Sequence, residues 1–570
     1  MTTVTFSDVT IRYQQRESST RRNKAAVKNV SLTVEPGDTI GIAGESGSGK
    51  STLAMSVLRL LPPTATIEGE ILLGDEPVAD MRWGRLRAVR WTEAAIVFQG
   101  AMHALNPMHR VRDQIDEAMR LHATGDRKDL RDPDKRAERI DELLAHVDLP
   151  SSKGMSYPHE LSGGQKQRVM IAMALACDPD IIIADEPTTA LDVIVQAQIL
   201  QLLKEQVAQR QLSLIMISHD LTVLAATCDR IAVMYHGELV ELGPSERVLH
   251  HPEHEHTKKL AAAFPTIGDW SSRLSLPAYT APDAPGPGGP GSRPVPDKSE
   301  ISDTPTQALA LEHAVIAARD LTVKFGEGEY ENIAVNNVDL TCRPGEILAL
   351  VGQSGSGKTT LARTVLGLQQ PTSGQILYRN EPLPTKQRQL RTYRKQVQYV
   401  LQDPMAALNP RHTVYEQIAE GIRIHGLDDE VGRVTRALEE SGLSPAEEFF
   451  YSLPSELSGG QRQRVVIAGA LALEPEFLVA DEPVASLDAS VRAGVLALLL
   501  KLRSENGLGG LIITHDLGLA WNIADRVAVM YRGEIVEHGT VEEVLLDPKH
   551  EYTQKLLSVV PTPQSTEVNA

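Results

Sequence analysis

The sequence predicts two α/β domains in tandem, and two observations carry this prediction. A glycine-rich loop, G-E-S-G-S-G-K-S at Gly44 to Ser51, recurs as G-Q-S-G-S-G-K-T at Gly352 to Thr359. Each copy is followed in the same order by a glutamine, an L-S-G-G-Q segment, an apolar run ending in Asp-Glu-Pro, and an isolated histidine. The copies are 308 residues apart at the loop lysines and 303 at the glutamines, but 296 apart at every later motif. A repeat of this length indicates two homologous domains whose insertions and deletions precede the L-S-G-G-Q segment.

The bulk properties exclude several classes of protein. At 570 residues the chain is too long for one core, and its 42% hydrophobic content suits two ordinary globular domains. A net charge of −18 argues against nucleic acid as a partner, because such proteins usually carry a basic footprint. The longest apolar runs, such as Val495 to Leu500, are far shorter than the ~20 residues that span a bilayer. The N-terminal text M-T-T-V-T-F-S-D-V-T lacks the pattern of a secretion signal, and the three cysteines lack metal or disulfide spacing. We therefore expect a cytosolic chain that does not itself cross a membrane.

Composition sets the expected domain boundaries. The segment between Ala281 and Pro296 is so rich in proline and glycine that it cannot form a packed element. We expect a first domain at residues 1–265, a linker at 266–312, a second domain at 313–561 and a polar tail at 562–570.

The coarse order inside each domain is strand, glycine loop, helix, a long helical region, then strand and helix again. N-terminal strands are expected at Val4 to Tyr13 and Val27 to Val34. The short continuous apolar runs Ile181 to Ala184 and Leu478 to Ala480 are typical of central parallel strands covered on both faces.

The glycine-rich loops predict phosphate-binding sites. Glycines free the backbone to wrap a phosphate with its N–H groups, and the helix that follows adds its positive N-terminal end. The apolar runs I-G-I-A and L-A-L-V supply the strand that precedes such a loop. Each lysine is expected to contact the β- and γ-phosphates of a nucleotide, and the next hydroxyl to bind Mg²⁺. The expected nucleotide-binding residues are Gly44, Ser46, Gly47, Ser48, Gly49, Lys50, Ser51 and Thr52 in the first copy, and Gly352, Ser354, Gly355, Ser356, Gly357, Lys358, Thr359 and Thr360 in the second.

The Asp-Glu-Pro segments predict the acidic groups of a hydrolase. Asp185 and Asp481 end apolar strands, where a carboxylate can hold Mg²⁺ through water. Glu186 and Glu482 follow directly, and each is expected to act as the base that polarises the attacking water.

The L-S-G-G-Q segments open helices. Their serines are typical N-caps, and the two glycines after each serine allow an anion to approach the positive end of the helix. The expected anion-binding residues are Ser162, Gly163, Gly164 and Gln165, and Ser458, Gly459, Gly460 and Gln461.

Two further residue types complete the expected sites. His219 in I-S-H-D and His515 in I-T-H-D follow apolar strands, from which an imidazole can reach a γ-phosphate. A lone histidine is usually structural, so this interpretation depends on the shared register. Tyr13 and Phe325 are expected to stack on adenine, with ordinary strand packing as the alternative.

The tract H-H-P-E-H-E-H at His250 to His256 resembles a metal site in composition. The repeat argues against that interpretation, because His254 to Thr257 lies 296 residues before H-E-Y-T at His550 to Thr553. We therefore expect a structural element shared by both domains.

Taken together, these motifs resemble those of ABC-type ATPases over nearly the whole chain. Finer features are similar to the oligopeptide/dipeptide/nickel importer branch: Q-G-A-M-H-A-L-N-P at Gln99, Q-D-P-M-A-A-L-N-P at Gln402, D-E-P-T-T-A-L-D-V-I-V-Q-A-Q-I-L at Asp185, and H-E-Y-T-Q-K-L-L at His550. That branch usually carries its two ATPases as separate chains, and this sequence resembles a fused version. The resemblance implies two tandem P-loop ABC ATPase domains, each with a RecA-like core, an antiparallel β subdomain and a helical signature subdomain.

The resemblance also implies how the motifs combine. The two domains are expected to dimerise head to tail within the chain, so that each ATP lies between the glycine loop of one domain and the L-S-G-G-Q signature of the other. Gln99 and Gln402 match the Q-loop glutamines of the family, so the resemblance implies that they are catalytic residues together with the two glutamates and the two histidines. The Mg²⁺ bound with ATP is then expected to contact Ser51, Gln99 and Asp185 in one site, and Thr359, Gln402 and Asp481 in the other.

The implied partners are two integral-membrane permease subunits and, through them, an extracytoplasmic substrate-binding protein, with this chain on the cytoplasmic face of the membrane. Two departures from the branch are visible. Gly100-Ala101 stands where Asp-Pro is common, and the cysteine cluster that carries an iron–sulfur centre in several relatives is missing. We therefore expect ATP and Mg²⁺ as cofactors, without an iron–sulfur cluster or zinc.

Two other classes of ABC ATPase remain as alternatives. Soluble tandem proteins that act on ribosomes usually join their domains by a charged helical linker, whereas the linker of this chain is rich in proline and glycine. DNA-repair members carry zinc cysteines that this chain lacks. For an importer, the resemblance implies di- or oligopeptides as cargo, and nickel chelates or glutathione-like molecules remain as alternatives.

Overall fold

The computed structural model describes residues 2–13, 25–98, 100, 104–123, 125–189, 191–262, 267–270, 273–274, 314–326, 331–484, 487 and 489–560. They form two compact units, whose main bodies are Met1–Phe264 (unit 1) and Pro265–Leu487 with Val491–Ser558 (unit 2). Each unit carries one copy of the repeat. Gln99, Ala101, the Pro/Gly-rich part of the predicted linker and the polar tail lie outside the described residues.

Unit 1 contains two sheets. Its strands are β1 (Val4–Tyr13), β2 (Ala25–Val34), β3 (Thr39–Ala43), β4 (Ala65–Leu73), β5 (Glu76–Pro77), β6 (Ala94–Val97), β7 (Ile181–Asp185), β8 (Ser213–Ile217), β9 (Arg230–Tyr235) and β10 (Glu238–Pro244). An antiparallel sheet has the order β2-β1-β4-β5, and a six-stranded sheet has the order β10-β9-β3-β8-β7-β6. In the second sheet β10 runs antiparallel to β9, and the other neighbours are parallel.

The helices of unit 1 surround the six-stranded sheet and form a separate helical region. They are α1 (Lys50–Ser56), α2 (Trp83–Val89), α3 (Val111–Leu121), α4 (Pro133–His146), α5 (Gly163–Ala174), α6 (Val193–Arg210), α7 (Leu221–Thr227), α8 (Ser245–His250) and α9 (Glu255–Ala262), with 3₁₀ turns at Gly125–Arg131, Ser151–Met155 and Pro158–Glu160. Buried side chains of α3, α4 and α5, such as Ile115, Leu143 and Val169, share one core with the neighbouring face of the parallel sheet. The antiparallel sheet packs its own face against α1.

Unit 2 repeats this architecture. Its strands are β11 (Ile316–Phe325), β12 (Asn332–Cys342), β13 (Ile347–Val351), β14 (Ser373–Tyr378), β15 (Glu381–Pro382), β16 (Val397–Val400), β17 (Phe477–Asp481), β18 (Gly509–Thr514), β19 (Arg526–Tyr531) and β20 (Glu534–Thr540). The sheet orders are β12-β11-β14-β15 and β16-β17-β18-β13-β19-β20, which match those of unit 1 strand for strand.

The helices of unit 2 follow the same order. They are α10 (Lys358–Val365), α11 (Gln387–Gln396), α12 (Pro404–Ala407), α13 (Val414–His425), α14 (Glu430–Glu440), α15 (Gly459–Leu471), α16 (Ala489–Asn506), α17 (Leu517–Ile523), α18 (Val541–Leu546) and α19 (Glu551–Ser558), with 3₁₀ turns at Ala446–Glu448 and Pro454–Glu456.

The predicted α/β class and the three parts expected of each domain are thus confirmed. Every residue of β7 and of β17 is buried, as expected for central strands covered on both faces. Parallel strands place their carboxyl ends at one edge of the sheet, where ligands of open α/β sheets bind. In the part of the chain that the structure describes, no helix is both long and apolar enough to traverse a bilayer.

A short stretch of the predicted linker packs on unit 2. The rings of Trp270 and Trp521 meet edge to face, with centroids 5.4 Å apart, and the Arg273 guanidinium lies over both rings. Arg273 also forms a 2.8 Å ion pair with Glu542 and donates to the Ala524 carbonyl at 2.9 Å. We refer to residues 267–270 and 273–274 as the docked segment.

Candidate functional site

The glycine loop of unit 1 connects β3 to α1 in a conformation that only glycine adopts readily. Gly44, Gly47 and Gly49 have φ angles of 147°, 74° and 99°. A β-carbon on Gly44 would clash with the carbonyl oxygen of Met234, and one on Gly49 with that of Ala26. The loop therefore presents bare backbone at the carboxyl edge of the parallel sheet.

The loop of unit 2 connects β13 to α10 with the same geometry. Gly352, Gly355 and Gly357 have φ angles of 153°, 77° and 107°. Here, too, a β-carbon at the first or third glycine would meet a backbone carbonyl. The two loops are equivalent in shape, as the repeat predicts.

Each loop lysine folds back onto its own loop. The Lys50 ammonium donates to the carbonyls of Gly44 and Glu45 at 2.7 and 2.8 Å. The Lys358 ammonium donates to those of Gly352 and Gln353 at 2.7 and 2.6 Å. Both lysines are buried. A buried ammonium inside a ring of backbone groups is the charge that a bound phosphate requires.

The hydroxyl after each lysine lies against the aspartate that ends the neighbouring strand. Ser51 Oγ donates to Asp185 Oδ1 at 2.9 Å, and Thr359 Oγ1 donates to Asp481 Oδ2 at 3.0 Å. Burial raises the pKa of both aspartates despite these hydrogen bonds. A hydroxyl and a desolvated carboxylate in contact are hard oxygen ligands of the kind that Mg²⁺ prefers, so each pair fits this ion.

Each glutamate after these aspartates has left-handed backbone, with φ of 44° at Glu186 and 46° at Glu482. Such a conformation is uncommon for a residue with a side chain and breaks the alternation of the strand. The backbone N–H of each glutamate still bonds to the neighbouring strand, at Ile217 and Ile513 respectively. The conformation therefore redirects the side chain without detaching the residue from the sheet.

The predicted histidines meet these glutamates. His515 Nδ1 lies 2.8 Å from Glu482 Oε1, and His219 Nδ1 lies 3.6 Å from Glu186 Oε1. Burial would raise the pKa of Glu186, but the nearby His219 imidazole and a hydrogen bond from Thr189 lower it to about 2. Burial also opposes ionisation of Glu482, yet His515 lowers its pKa below the ordinary value. Both glutamates are therefore ionised near neutral pH, as a general base must be.

The glutamine before the helical region is described only in unit 2. Gln402 Nε2 donates to Glu482 Oε2 at 2.9 Å, which joins this side chain to the glutamate and histidine. Its counterpart Gln99 lies outside the described residues.

The two predicted adenine-stacking residues lie at the ends of their strands. The Tyr13 hydroxyl is 3.1 Å from Thr52 Oγ1, next to the glycine loop. Phe325 is 42% exposed at the end of β11. An exposed aromatic face is available for a base to stack on, and the stacking role stays a prediction.

The L-S-G-G-Q segments begin helices, as expected. Ser162 and Gln165 form a reciprocal cap at the start of α5, and Ser458 and Gln461 form the same cap at the start of α15. The hydroxyl of each serine thus accepts its described hydrogen bond from the backbone of its own helix. A β-carbon on Gly164 or Gly460 would clash with Val195 or Val491, whereas Gly459 faces open space.

Sequence reasoning missed one residue that contacts a predicted metal ligand. The Tyr399 hydroxyl donates to Asp481 Oδ2 at 3.2 Å, and burial with the nearby carboxylate raises the pKa of Tyr399 to about 12. The equivalent strand position in unit 1 is Ile96. A tyrosine in a strand usually packs in the core, so only its difference from Ile96 across the repeat could have drawn attention to it.

Comparison with known proteins agrees with the repeat. The family model described as ABC transporter matches residues 27–189 and again 335–485. The model described as oligopeptide/dipeptide transporter, C-terminal region, matches residues 240–287 and 536–568, which include the histidine tract and its counterpart. Among the described residues, no group of three or more His, Cys, Asp or Glu side chains is placed to hold a metal ion.

Individual relatives match almost end to end. The chain is 40% identical over 562 residues to the glutathione import ATP-binding protein GsiA of Escherichia coli (strain K12), covering 94% of this chain and 86% of that protein. It is 41% identical over 557 residues to the protein of the same name from Salmonella choleraesuis (strain SC-B67), with the same coverage. Among solved structures, cbiO1 from Clostridium perfringens, part of the ABC transporter complex cbiONQ, is 30% identical with a TM-score of 0.38, covering 41% of this chain and 92% of that one.

Proposed function

The chain belongs to the ABC transporter family and is the ATP-hydrolysing subunit of an importer, and we propose that it drives uptake of peptide-type cargo from two ATP sites. The observation that supports two working sites is the duplicated arrangement of lysine, hydroxyl–aspartate pair, and glutamate–histidine pair. Both units bring these groups to the carboxyl edge of the six-stranded sheet.

In each site the loop backbone and the lysine bind the phosphates of ATP. The Lys50 and Lys358 ammonium groups exchange carbonyl oxygens of their own loops for β- and γ-phosphate oxygens. Ser51 with Asp185, and Thr359 with Asp481, would hold the Mg²⁺ that accompanies ATP, and this ion would neutralise phosphate charge. Gln99 and Gln402 complete these ligand sets. Tyr13 and Phe325 stack on the adenine.

The ionised glutamates then act as bases. Glu186 and Glu482 each accept a hydrogen bond from the water that attacks the γ-phosphate. His219 and His515 orient the glutamates from the neighbouring strand end and contact the γ-phosphate. The left-handed backbone at each glutamate holds the carboxylate at the mouth of the site.

The signature segments complete the sites from the other domain. Ser458, Gly459, Gly460 and Gln461 close on the nucleotide held by Lys50, and Ser162, Gly163, Gly164 and Gln165 close on the nucleotide held by Lys358. ATP then acts as an interfacial ligand that favours the closed arrangement, and hydrolysis releases it. Two permease subunits at the cytoplasmic face of the membrane convert this cycle into transport, and a substrate-binding protein delivers the cargo to them.

The relatives favour one cargo among the alternatives. Proteins 40–41% identical to this chain are glutathione import proteins, and glutathione is a tripeptide. We therefore place glutathione-like molecules and small peptides ahead of nickel chelates.

The test uses the full chain with its permeases and binding protein in proteoliposomes. Glutathione, dipeptides, longer peptides and nickel chelates are supplied in turn, and uptake and ATP hydrolysis are measured together. We expect ATP-dependent uptake of glutathione or a small peptide, and none when both Glu186 and Glu482 are changed to glutamine. Preferential binding of the chain to ribosomes or DNA, without uptake of any of these molecules, would reject the importer proposal.

A further inference from the structure

The last helix of unit 2 reaches the glycine loop. The Gln353 backbone N–H donates to the Tyr552 hydroxyl at 3.0 Å. The tyrosine is buried, and its ring stacks on Tyr531 at the end of β19, with centroids 4.1 Å apart and an angle of 26°. The hydroxyl is therefore held in place by a packed ring.

This hydrogen bond and the loop lysine hold the same peptide group. The peptide between Gly352 and Gln353 presents its carbonyl to the Lys358 ammonium at 2.7 Å and its N–H to Tyr552. A peptide group is planar and rigid, so fixing the direction of the N–H also fixes the direction of the carbonyl. Tyr552 thus sets the backbone against which Lys358 is positioned.

Unit 1 has the same element with a different ring. His256 occupies the position equivalent to Tyr552 and stacks on Tyr235 with centroids 4.0 Å apart and an angle of 28°. The backbone N–H of His256 bonds to His254 Nδ1, as that of Tyr552 bonds to His550 Nδ1. The two helices therefore hold their rings in the same way, each against the tyrosine that ends the neighbouring strand.

The tips differ. His256 Nε2 is buried without a hydrogen-bond partner, although Lys50 holds the Gly44 carbonyl as Lys358 holds that of Gly352. The shorter imidazole leaves its outer nitrogen unsatisfied where the phenol hydroxyl of unit 2 bonds to the loop. Burial lowers the pKa of His256, with Glu45 opposing and His254, His236 and Lys259 adding to the effect, so the ring is neutral near pH 7.

We propose that the residue at this helix position is a positioning residue for the phosphate loop, that Tyr552 secures the loop of unit 2, and that His256 leaves the loop of unit 1 less firmly held. The two nucleotide sites then hydrolyse ATP with the same groups but differ in affinity for it. This inference rests on the proposed nucleotide sites and adds a difference between them.

The experiment measures each site separately in the full chain. Lys50→Ala isolates the site of unit 2, and Lys358→Ala isolates that of unit 1; Mg-ATP binding is followed by calorimetry in each background. In the Lys50→Ala background, we expect Tyr552→Phe to weaken Mg-ATP binding roughly three- to ten-fold, the effect of losing one hydrogen bond. In the Lys358→Ala background, we expect His256→Tyr to tighten binding by a similar factor. Tyr451→Phe, which removes a hydroxyl from a side chain 85% exposed, is the control and should change nothing.

Steady-state kinetics in the otherwise unaltered chain provide a readout that a purely structural role would not move. Since Tyr552 holds the loop and does not touch the reacting atoms, Tyr552→Phe should raise KM for ATP while kcat changes less than about two-fold. If Tyr552→Phe leaves Mg-ATP binding unaltered while the unfolding temperature stays parental, the inference about Tyr552 is overturned and the proposed nucleotide sites still stand. Absence of Mg-ATP binding in both lysine backgrounds would overturn the proposed nucleotide sites themselves.

Discussion

His515 Nδ1 lies 2.8 Å from Oε1 of Glu482. Burial lowers the pKa of His515, but the hydrogen bond and the charges of Glu482 and Asp516 together raise it above its ordinary value. The pKa of Glu482 is lowered. The two groups therefore form an ion pair between the lowered pKa of Glu482 and the raised pKa of His515, and this pair links the stability of unit 2 to proton concentration.

The first prediction concerns this linkage. A histidine whose folded pKa is raised stabilises the fold fully below its unfolded pKa, and that contribution is lost as pH rises through the folded pKa. Glu482 stays ionised throughout this range. We expect the parent to exceed His515→Gln by roughly 1–2 kcal/mol in free energy of unfolding near pH 5.5, and by less at pH 9. Urea unfolding of the unit 2 transition at both pH values measures the difference.

The control for this experiment is His538→Gln, because His538 is exposed. Its difference from the parent should be small and independent of pH. An advantage of the parent over His515→Gln that grows between pH 5.5 and pH 9 would show that the ring is neutral in the folded protein.

The second prediction is that both sites hydrolyse ATP. Removing a positioned base typically costs ~10²–10⁴-fold in rate, so Glu186→Gln and Glu482→Gln should each stall their own site with ATP bound. If the sites fire in a coupled cycle, either change alone should reduce turnover far below half. If the sites fire independently, each change should leave about half. Steady-state ATPase rates with the permeases present decide this, and near-parental turnover in either variant would identify a non-catalytic site.

The third prediction separates the two glycines of the second signature. A β-carbon on Gly459 meets no atom within 4 Å, whereas one on Gly460 clashes with the Val491 side chain. Gly460→Ala should therefore destabilise unit 2 by about 1–3 kcal/mol, which a thermal melt would detect. Gly459→Ala should fold as well as the parent and lose at least ten-fold in ATPase rate, since its methyl group faces the proposed phosphate. Parental hydrolysis by Gly459→Ala would exclude that close approach.

The fourth prediction concerns the docked segment. Arg273 lies over Trp270 and Trp521 and pairs with Glu542, and its side chain is only 12% exposed. Arg273→Ala should lower the free energy of unfolding of unit 2 by about 1–3 kcal/mol. Arg273→Lys should recover less than half, because an ammonium cannot reproduce the contacts of a planar guanidinium.

Lys501→Ala is the matched control for Arg273→Ala. Lys501 and Glu505 form an exposed pair on one helix, and such pairs are worth about 0.5 kcal/mol or less. Guanidinium chloride unfolding compares the three variants, and an effect of Arg273→Ala as small as that of Lys501→Ala would show that the segment is not held.

The fifth prediction is that the purified protein contains no stoichiometric iron or zinc. Thiolates rather than thiols bind these metals, and burial raises the pKa of Cys177 and of Cys342 to about 12 and that of Cys228 further. Elemental analysis of the full chain tests this, with metal near one equivalent per chain as the contrary result.

Local sequence predicted most of the fold and of the site because the residues that form them lie in short, recognisable sequence motifs. The loop positions require left-handed backbone, which glycine adopts readily, and the strand residues before Asp185 are all apolar. Other features depend on packing between distant segments. The contact of the Tyr399 hydroxyl with Asp481 and the packing of Arg273 over Trp521 join residues that are far apart in sequence and follow no repeating pattern. The left-handed backbone of Glu186 could not be predicted from the sequence either, since glutamate has no preference for that conformation.

The docked segment also determines where the second domain can be cut. A fragment that begins at residue 313, the boundary that composition suggests, would lack Trp270 and Arg273. Trp521, which is fully buried in the intact chain, would then lose the ring and guanidinium that cover it. Such a fragment would present the Trp521 ring to solvent and would lose the stabilisation that its burial contributes. A fragment that begins before Ile267 keeps this cover, so proteolytic or recombinant preparations of the domain should include the whole docked segment.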